Sequence, residues 1–442
     1  MKTLKATCSA AAFALAAMTA SAISYAPTIS SVTMAQDNPS SREVTISYAL
    51  ANGPAIVTVD IETNVTGDVW ASIGLENFAN LKGDANVLVD KAAGTVTWRP
   101  DRSWPGHLIE TGGIRATLTA YSPENPPDYM VVDLASQTPV RVKYYASTND
   151  LPGGLFADCY RTTSIILRHI RAKGISWPMG SFMEEKRNLG YKSDVEAVHT
   201  VTLGSDYWMG VFELTQAQWA MVAGTTITAK FAGSEKALFR PMENITLAMI
   251  READCNSESS VQATSPEAPA ANSYLGLLRA RTGIDFDLPT EAQWEFACRA
   301  GHGENEYGEG TPYKYSNWDG SIPLPGRWKN NQANPGNTAS GSSIGPEDGT
   351  AVCGTYAPND WGIYDMHGNV WELCRGRWAE DITALNGAQV TAGTSAVRRG
   401  GAWVQSDSCY LRSACRIEEG AGGHNPRQPG DGFRVMCTGL LQ

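Results

Sequence analysis

The sequence predicts an α+β protein in which an N-terminal all-β sandwich precedes a mixed domain with low regular secondary structure. Apolar and polar residues alternate with period two from residue 42 to about 147, and helical segments with strong capping signals follow only beyond residue 210. The 43 glycines, 23 prolines and 13 tryptophans indicate a loop-rich chain with an aromatic core. At 442 residues the chain is long enough for two domains.

Residues 1–22 have the pattern of a secretory signal peptide. Lys2 and Lys5 precede an apolar stretch at 10–18, and the small residues 20–22 follow it. The apolar stretch is shorter than the run of about 20 residues that crosses a bilayer, so we expect no membrane span. We therefore expect cleavage after Ala22 and a secreted or periplasmic protein.

Residues 23–148 are predicted to form the β-sandwich. Half-buried strands with this period, separated by turn residues at 52–54 and 123–127, are typical of that architecture. The region contains no group of residues in a pattern typical of catalysis or metal binding. This favours a role as a spacer or scaffold over a contact with carbohydrate or protein. The alternating apolar positions are Val44, Ile46, Tyr48 and Leu50; Val57, Val59 and Ile61; Ile114, Ala116 and Leu118; and Met130, Val132 and Leu134.

A turn-rich stretch at 149–154 predicts the domain boundary, with a linker and entry segment over 149–173 and a second domain over 174–442. From 301 to 359 the chain is rich in glycine, asparagine, serine and proline without sustained periodicity. A long irregular stretch in a compact domain needs ligands, ions or crosslinks to hold it.

Two short helices begin with the same sequence pattern. Thr215 and Thr290 are expected to cap their first amides, while the glutamine three positions later returns the hydrogen bond. The helices are predicted to close at Gly224 and Gly301, where glycine permits a left-handed exit. Another helix is predicted over about 270–282.

The charge and the cysteines limit the possible partners. The formal net charge is −11, and removal of Lys2 and Lys5 leaves 33 basic against 46 acidic residues, or −13, which disfavours nucleic acid. Eight cysteines remain beyond Cys8, and an even number in an oxidising compartment favours disulfides over metal binding. They are Cys159, Cys255, Cys298, Cys353, Cys374, Cys409, Cys415 and Cys437.

Four segments in order resemble the formylglycine-generating enzyme (sulfatase-modifying factor) family. They are residues 179–181 with 210–216, residues 288–297, residues 361–372, and residues 399–403 with 432–435. The resemblance covers about 174–437 and implies a fold similar to C-type lectins with bound calcium. It also implies several possible functions, since some members use copper and oxygen to convert a sulfatase cysteine to formylglycine. Others belong to ergothioneine or pyoverdine pathways, or bind ligands.

The sequence lacks the common motifs for zinc and phosphate sites. It contains no His-Glu-x-x-His and no phosphate loop, and its six histidines show no ligand spacing. A histidine-built iron site is therefore disfavoured, as are the ergothioneine-type oxygenases. Arg412, Arg416 and Arg434 are expected to be interior hydrogen-bond donors rather than substrate clamps.

The candidate catalytic residues are Cys409 and Cys415. The resemblance implies two copper(I)-binding cysteines separated by four residues, whereas five separate this pair. In an extended segment the additional residue would turn one side chain to the opposite face. We therefore expect two structural cysteines and no formylglycine-generating activity, with copper as the cofactor only if the pair is active.

The resemblance also implies a calcium site in residues 365–372. Its ligands would be the side chains of Asp365 and Glu372 and the carbonyls of Gly368 and Val370, and Asp348 would serve a second site. Oxygen ligands from one tight loop suit this cation. The competing interpretation is that the two carboxylates only cap and solvate the loop.

Two functions follow from these patterns. The first is an exported protein with the fold of the sulfatase-modifying oxidases but without their standard copper cysteine pair, whose partner would be a sulfatase. The second is a non-catalytic module that binds a protein or a glycan on the same fold.

Overall fold

A computed structural model describes the fold of most of the chain. The predicted signal peptide, Asp348 and most of the stretch 301–359 lie outside the described residues. Those are residues 26–38, 40, 42–74, 81–107, 112–136, 142–181, 195–224, 236–256, 268–302, 326–327, 349–393, 395–405, 408–419 and 428–439.

Two antiparallel sheets form the N-terminal sandwich, as predicted. One sheet has the order β1-β2-β7-β5, and in the other β3 pairs with β4, β6 and β8. Alternate residues of β2, including Ile46 and Tyr48, are buried between the sheets because successive side chains of a strand point to opposite faces. The strands are β1 (Thr28–Asn38), β2 (Glu43–Ala51), β3 (Ala55–Thr66), β4 (Val69–Ser72), β5 (Lys82–Gly83), β6 (Val87–Val89), β7 (Ala93–Trp98) and β8 (Ile114–Tyr121), and a short helix α1 (Pro100–Ser103) follows β7.

The strand predicted around Met130 lies in a different sheet from the one expected. β9 (Tyr129–Asp133) and β10 (Val142–Tyr145) pair with each other, and β9 also pairs with β11 (Ser164–Ile170). The first four residues of β9 are all buried, as in a strand covered on both faces, whereas sandwich strands alternate. The assignment of this strand to the sandwich is therefore wrong, and the sequence-based division of the chain at 148 and 173 stays a prediction.

The same sheet continues into the C-terminal part of the chain. Its order is β10-β9-β11-β14-β19, with β14 at Tyr207–Gly210 and β19 at Met436–Cys437. β12 (Ser176–Met179) and β13 (His199–Thr202) pair antiparallel in a separate two-stranded sheet. A last sheet has the order β17-β16-β15-β18, formed by β15 (Trp371–Arg377), β16 (Ala396–Arg399), β17 (Arg416–Glu418) and β18 (Asp431–Gly432).

Three α-helices of the described residues beyond position 210 pack beside these sheets. α2 (Gln216–Ala223) and α4 (Glu291–Cys298) both begin with a complete capping box, which confirms the prediction from their sequences. α2 ends at Gly224 in the left-handed region as expected, but α4 ends at Arg299, two residues before Gly301. α3 (Tyr274–Thr282) begins later than predicted, because Ser273 caps it.

The described residues contain no helix that is long and apolar enough to cross a membrane. They also contain no disulfide, although the even number of cysteines predicts several. The seven cysteines outside disulfides are Cys159, Cys255, Cys298, Cys353, Cys374, Cys415 and Cys437.

Candidate functional site

Residues 365–372 form a tight buried turn that leads into β15. Asp365 and Asn369 have positive φ angles of 60° and 65°. Gly368, with φ 106°, lies so close to Arg327 that a Cβ atom would come within 2.2 Å of its carbonyl oxygen. The turn therefore holds the predicted calcium ligands Asp365, Gly368, Val370 and Glu372 in fixed positions inside the protein.

Glu372 already has strong partners for both carboxylate oxygens. Arg434 donates to Oε1 through Nη2 at 2.5 Å and to Oε2 through Nε at 2.7 Å. Trp294 Nε1 donates to Oε2 at 2.7 Å. A guanidinium thus occupies the position in which a cation would neutralise this carboxylate, so Glu372 does not fit the role of a calcium ligand.

Asp365 lies in a second group of buried side chains, together with Glu213 and Cys353. The possible ligand atoms of these three residues lie within 4.8 Å of one another. Asp365 Oδ2 accepts a 2.6 Å hydrogen bond from the Gly354 amide, whereas its buried Oδ1 has no hydrogen-bond partner among the residues that the structure describes. Glu213 Oε2 accepts from Asn369 Nδ2 at 2.6 Å.

Burial controls the protonation of this group. It raises the pKa of Asp365 to about 6, and burial with the neighbouring charge of Asp365 raises the pKa of Glu213 well above its usual range. Burial also raises the pKa of the Cys353 thiol well above its usual value. The group is therefore suited to hold shared protons or a cation, and Asp365, with its unpartnered oxygen, fits a cation ligand.

The sequence analysis did not identify Glu213 and Cys353 as site residues. Glu213 stands in the apolar stretch 211–214, and an acidic residue inside such a stretch is a signal for a buried carboxylate that needs partners. Cys353 has no comparable signal because 140 residues separate it from Glu213.

The segment that holds the candidate catalytic cysteines was expected to be extended, but part of it forms a turn. Ser408–Leu411 forms a 3-10 turn, so the argument from alternating side chains does not apply there. Cys415 is buried and packs with Trp371 and Ala402, and the side chain of Cys409 lies outside the described part.

The arginines around Cys415 form buried ion pairs. Arg412 pairs with Glu196 at 2.8 Å, and Arg416 pairs with Glu291 at 2.6 Å. Together with the Arg434 pair, they confirm the predicted interior role of these arginines. The segment around Cys415 is therefore anchored in the protein interior on both sides of the cysteine.

A cleft of about 720 Å³ opens where the sandwich meets the following segment. We call it the junction cleft. Polar groups supply much of its lining, and Phe156 and Tyr364 add aromatic rings that meet edge to face at 5.6 Å. It is lined by Asp60, Ser72, Gly74, Ser147, Thr148, Asn149, Asp150, Leu151, Gly154, Leu155, Phe156 and Tyr364.

Comparison with known proteins identifies relatives with different activities. A formylglycine-generating enzyme from Thermomonospora curvata is 31% identical over 171 residues, which cover 35% of this chain and 50% of that protein. The chaperone protein LppX from Paenibacillus barcinonensis is 30% identical over 231 residues, 47% of this chain and 72% of that protein. The inactive C-alpha-formylglycine-generating enzyme 2 from Bos taurus is 31% identical over 155 residues, 34% of this chain and 43% of that protein.

Two solved structures are also similar. The Treponema denticola variable protein 1 has a TM-score of 0.42 at 22% identity and covers 62% of this chain and 96% of its own. PvdO from Pseudomonas aeruginosa has a TM-score of 0.40 at 21% identity, and the match covers 65% of this chain and 99% of PvdO. This chain spans half or less of the formylglycine-generating enzymes named above. Residues 170–438 match the sulfatase-modifying factor enzyme 1-like domain, and the chain therefore belongs to that family.

Proposed function

We propose that this chain is an exported, secreted or periplasmic, non-catalytic member of the family that binds a neutral glycan in the junction cleft. The observation that carries the proposal is the combination of carboxylates, hydroxyls and an exposed aromatic ring in one cleft. Such clefts between structural units are common ligand sites.

The chemistry of the cleft favours sugar hydroxyls. Asp60 Oδ1 accepts a 2.7 Å hydrogen bond from Ser72, and Asp150 brings a second carboxylate into the lining. Carboxylate oxygens accept hydrogen bonds from hydroxyl groups, and the apolar face of a sugar can pack on an aromatic ring such as Phe156, which is 49% exposed. Two acidic residues repel anionic glycans, so the proposal is limited to neutral ones.

Calorimetric titration with neutral and anionic oligosaccharides tests this function. We expect binding of a neutral oligosaccharide, weakened about tenfold or more by Phe156→Ala or Asp60→Asn. Leu238→Ala is the matched control, because Leu238 is 54% exposed and does not line the cleft. Absence of binding to every neutral sugar, or equal affinity in all variants, would contradict the proposal.

The second candidate is a copper-dependent oxidase that acts on a sulfatase cysteine, because several relatives are formylglycine-generating enzymes. Cys415 does not favour it, since its side chain is only 1% exposed and packs on Trp371. We expect a copper-loaded sample to leave a Cys-x-Pro-x-Arg peptide unchanged. Oxidation of that peptide, lost in Cys409→Ser or Cys415→Ser, would establish the oxidase instead.

Calcium binding at Asp365 is part of the same proposal, supported by its unpartnered buried oxygen. The carbonyls of Gly368 and Val370 would complete the set, with Glu213 in place of Glu372, and Asp348 would serve a separate site. EDTA should lower the melting temperature of the wild type and leave Asp365→Asn unchanged. An unchanged wild-type melting temperature, with no heat on calcium titration, would refute it.

A further inference from the structure

A cysteine, a histidine and a serine from three distant parts of the chain meet in the core. Cys298 is the last residue of α4, and its Sγ lies 3.6 Å from His367 Nε2 and 3.5 Å from Ser413 Oγ. Cys298, His367 and Ser413 are all buried. The site shares no residue with the lining of the junction cleft and contains neither Cys409 nor Cys415.

The hydrogen bond on the other side of the imidazole defines its tautomer. His367 Nδ1 lies 2.6 Å from the carbonyl oxygen of Leu411, and because a carbonyl only accepts, Nδ1 carries the proton. Nε2 therefore directs its lone pair toward Cys298 Sγ. A hydrogen bond from the second nitrogen to a carbonyl is the usual support of a metal-binding histidine.

We infer that Cys298 Sγ and His367 Nε2 form a binding site for a copper(I) ion, with Ser413 Oγ as a weak third donor. A thiolate and an imidazole are the ligands that this ion prefers. The 3.6 Å between these atoms is a hydrogen-bond distance, so they would move apart as the ion enters between them and the thiol proton leaves.

Charge decides between copper(I) and a divalent ion. Binding displaces the thiol proton to solvent, so one thiolate and a neutral imidazole balance a monovalent ion completely. A divalent ion would leave one net positive charge on these ligands, and the nearby carboxylates of Glu295 and Glu372 are already paired with Arg299 and Arg434. Zinc would also need further strong ligands to complete its usual four.

Competition with a copper(I) chelator of known affinity under anaerobic, reducing conditions tests the inference on the full chain. We expect one copper(I) per chain in the wild type, and its loss in Cys298→Ser and in His367→Gln. Cys374→Ser is the matched control, because Cys374 is equally buried in the same core cluster but has no histidine partner in the described contacts. Cys353→Ser and the double variant of Cys409 and Cys415 should also retain the ion. Retention in Cys298→Ser, or no binding by the wild type, would overturn the inference.

A measurement on the wild type removes any dependence on how the variants fold. The X-ray absorption spectrum of the copper-loaded protein should require one sulfur and at least one nitrogen neighbour. Two sulfur neighbours without nitrogen would instead assign the ion to a cysteine pair and overturn the inference. The glycan titration remains an independent test, since it involves none of these residues.

Discussion

Buried arginine–carboxylate pairs are the main polar feature of the family domain at the scale of single residues. A guanidinium matches a carboxylate through two parallel hydrogen bonds and has donors left for backbone carbonyls. Arg434 uses them on the carbonyl oxygens of Gly210 and Tyr364, which lie in different segments. This pair thereby satisfies buried carbonyls at the end of β14 and in the segment just before the buried turn. The buried arginine–carboxylate pairs join Arg251 to Asp287, Arg377 to Glu252, Arg398 to Asp431, Arg399 to Glu295, Arg412 to Glu196, Arg416 to Glu291 and Arg434 to Glu372.

The first prediction concerns Arg434. Arg434→Lys should lower the free energy of unfolding by about 3–5 kcal/mol, because a lysine cannot replace the forked contacts and leaves buried acceptors unpaired. Urea unfolding measures the change. Arg171→Lys is the control, since Arg171 pairs with Asp128 at a surface position that is 48% exposed, and it should cost about 1 kcal/mol or less. Equal effects of the two substitutions would show that the buried pair has no special role.

The second prediction concerns Glu419 and pH. Burial, and next the charge of Asp431, raise the folded-state pKa of Glu419 from 4.5 to about 8. The folded state therefore binds the proton more tightly, and the stability from this group is complete below pH 4.5 and is lost as pH rises to about 8. Glu419→Gln should remove this loss, which is on the order of 5 kcal/mol at about 1.4 kcal/mol per pKa unit.

Urea unfolding of both proteins between pH 5 and 8 checks this sign. Glu418→Gln is the matched control, because Glu418 is the preceding residue and is only partly buried. The prediction fails if wild type and Glu419→Gln show the same pH dependence.

At the scale of elements, the capping boxes explain why two short helices form at fixed positions. In α4, Thr290 Oγ1 accepts from the Gln293 amide at 3.3 Å, and Gln293 Oε1 accepts from the Thr290 amide at 2.9 Å. A helix of eight residues has marginal stability by itself, so its terminal amides need these partners. The helix then holds Trp294 and Cys298 against the core.

The third prediction tests that cap. Thr290→Ala should lower the free energy of unfolding by about 1 kcal/mol, since the amide of Gln293 loses its acceptor. Thr290→Ser retains the oxygen and should remain close to the wild type. Chemical denaturation of the three proteins checks the order, and equal losses in alanine and serine variants would point to the methyl group instead.

At the scale of the whole molecule, one sheet joins the region before residue 148 to the family domain. β9 lies between β10 and β11, and its Met130 and Val132 belong to the same core cluster as Leu167 and Trp208. The core of the family domain is therefore completed by residues that precede the predicted linker.

The fourth prediction follows from this sheet. A chain that begins at residue 149 lacks β9 and β10, so β11 becomes an uncovered edge strand and the chain should aggregate. A chain that begins at residue 122 keeps both strands and should remain soluble with a cooperative thermal transition. Size-exclusion chromatography and circular dichroism compare them, and a stable monomer from residue 149 would show that the two strands are dispensable.

The sequence by itself determined the features that depend on neighbouring residues. Period-two alternation located β2 and β3, the Thr and Gln pairs located α2 and α4, and four ordered segments identified the family. Each signal is complete within about ten residues, because strand direction and helix capping are local effects.

The tertiary structure alone decided which distant groups meet. In the folded chain β9 pairs with β11, and Glu372 forms an ion pair with Arg434. Glu213 contacts Cys353 and Cys298 contacts His367, although 140 and 69 residues separate the members of these pairs. No local pattern encodes these contacts, since they depend on how elements pack and on where a buried charge finds its partner. The candidate sites therefore became visible only in the folded chain.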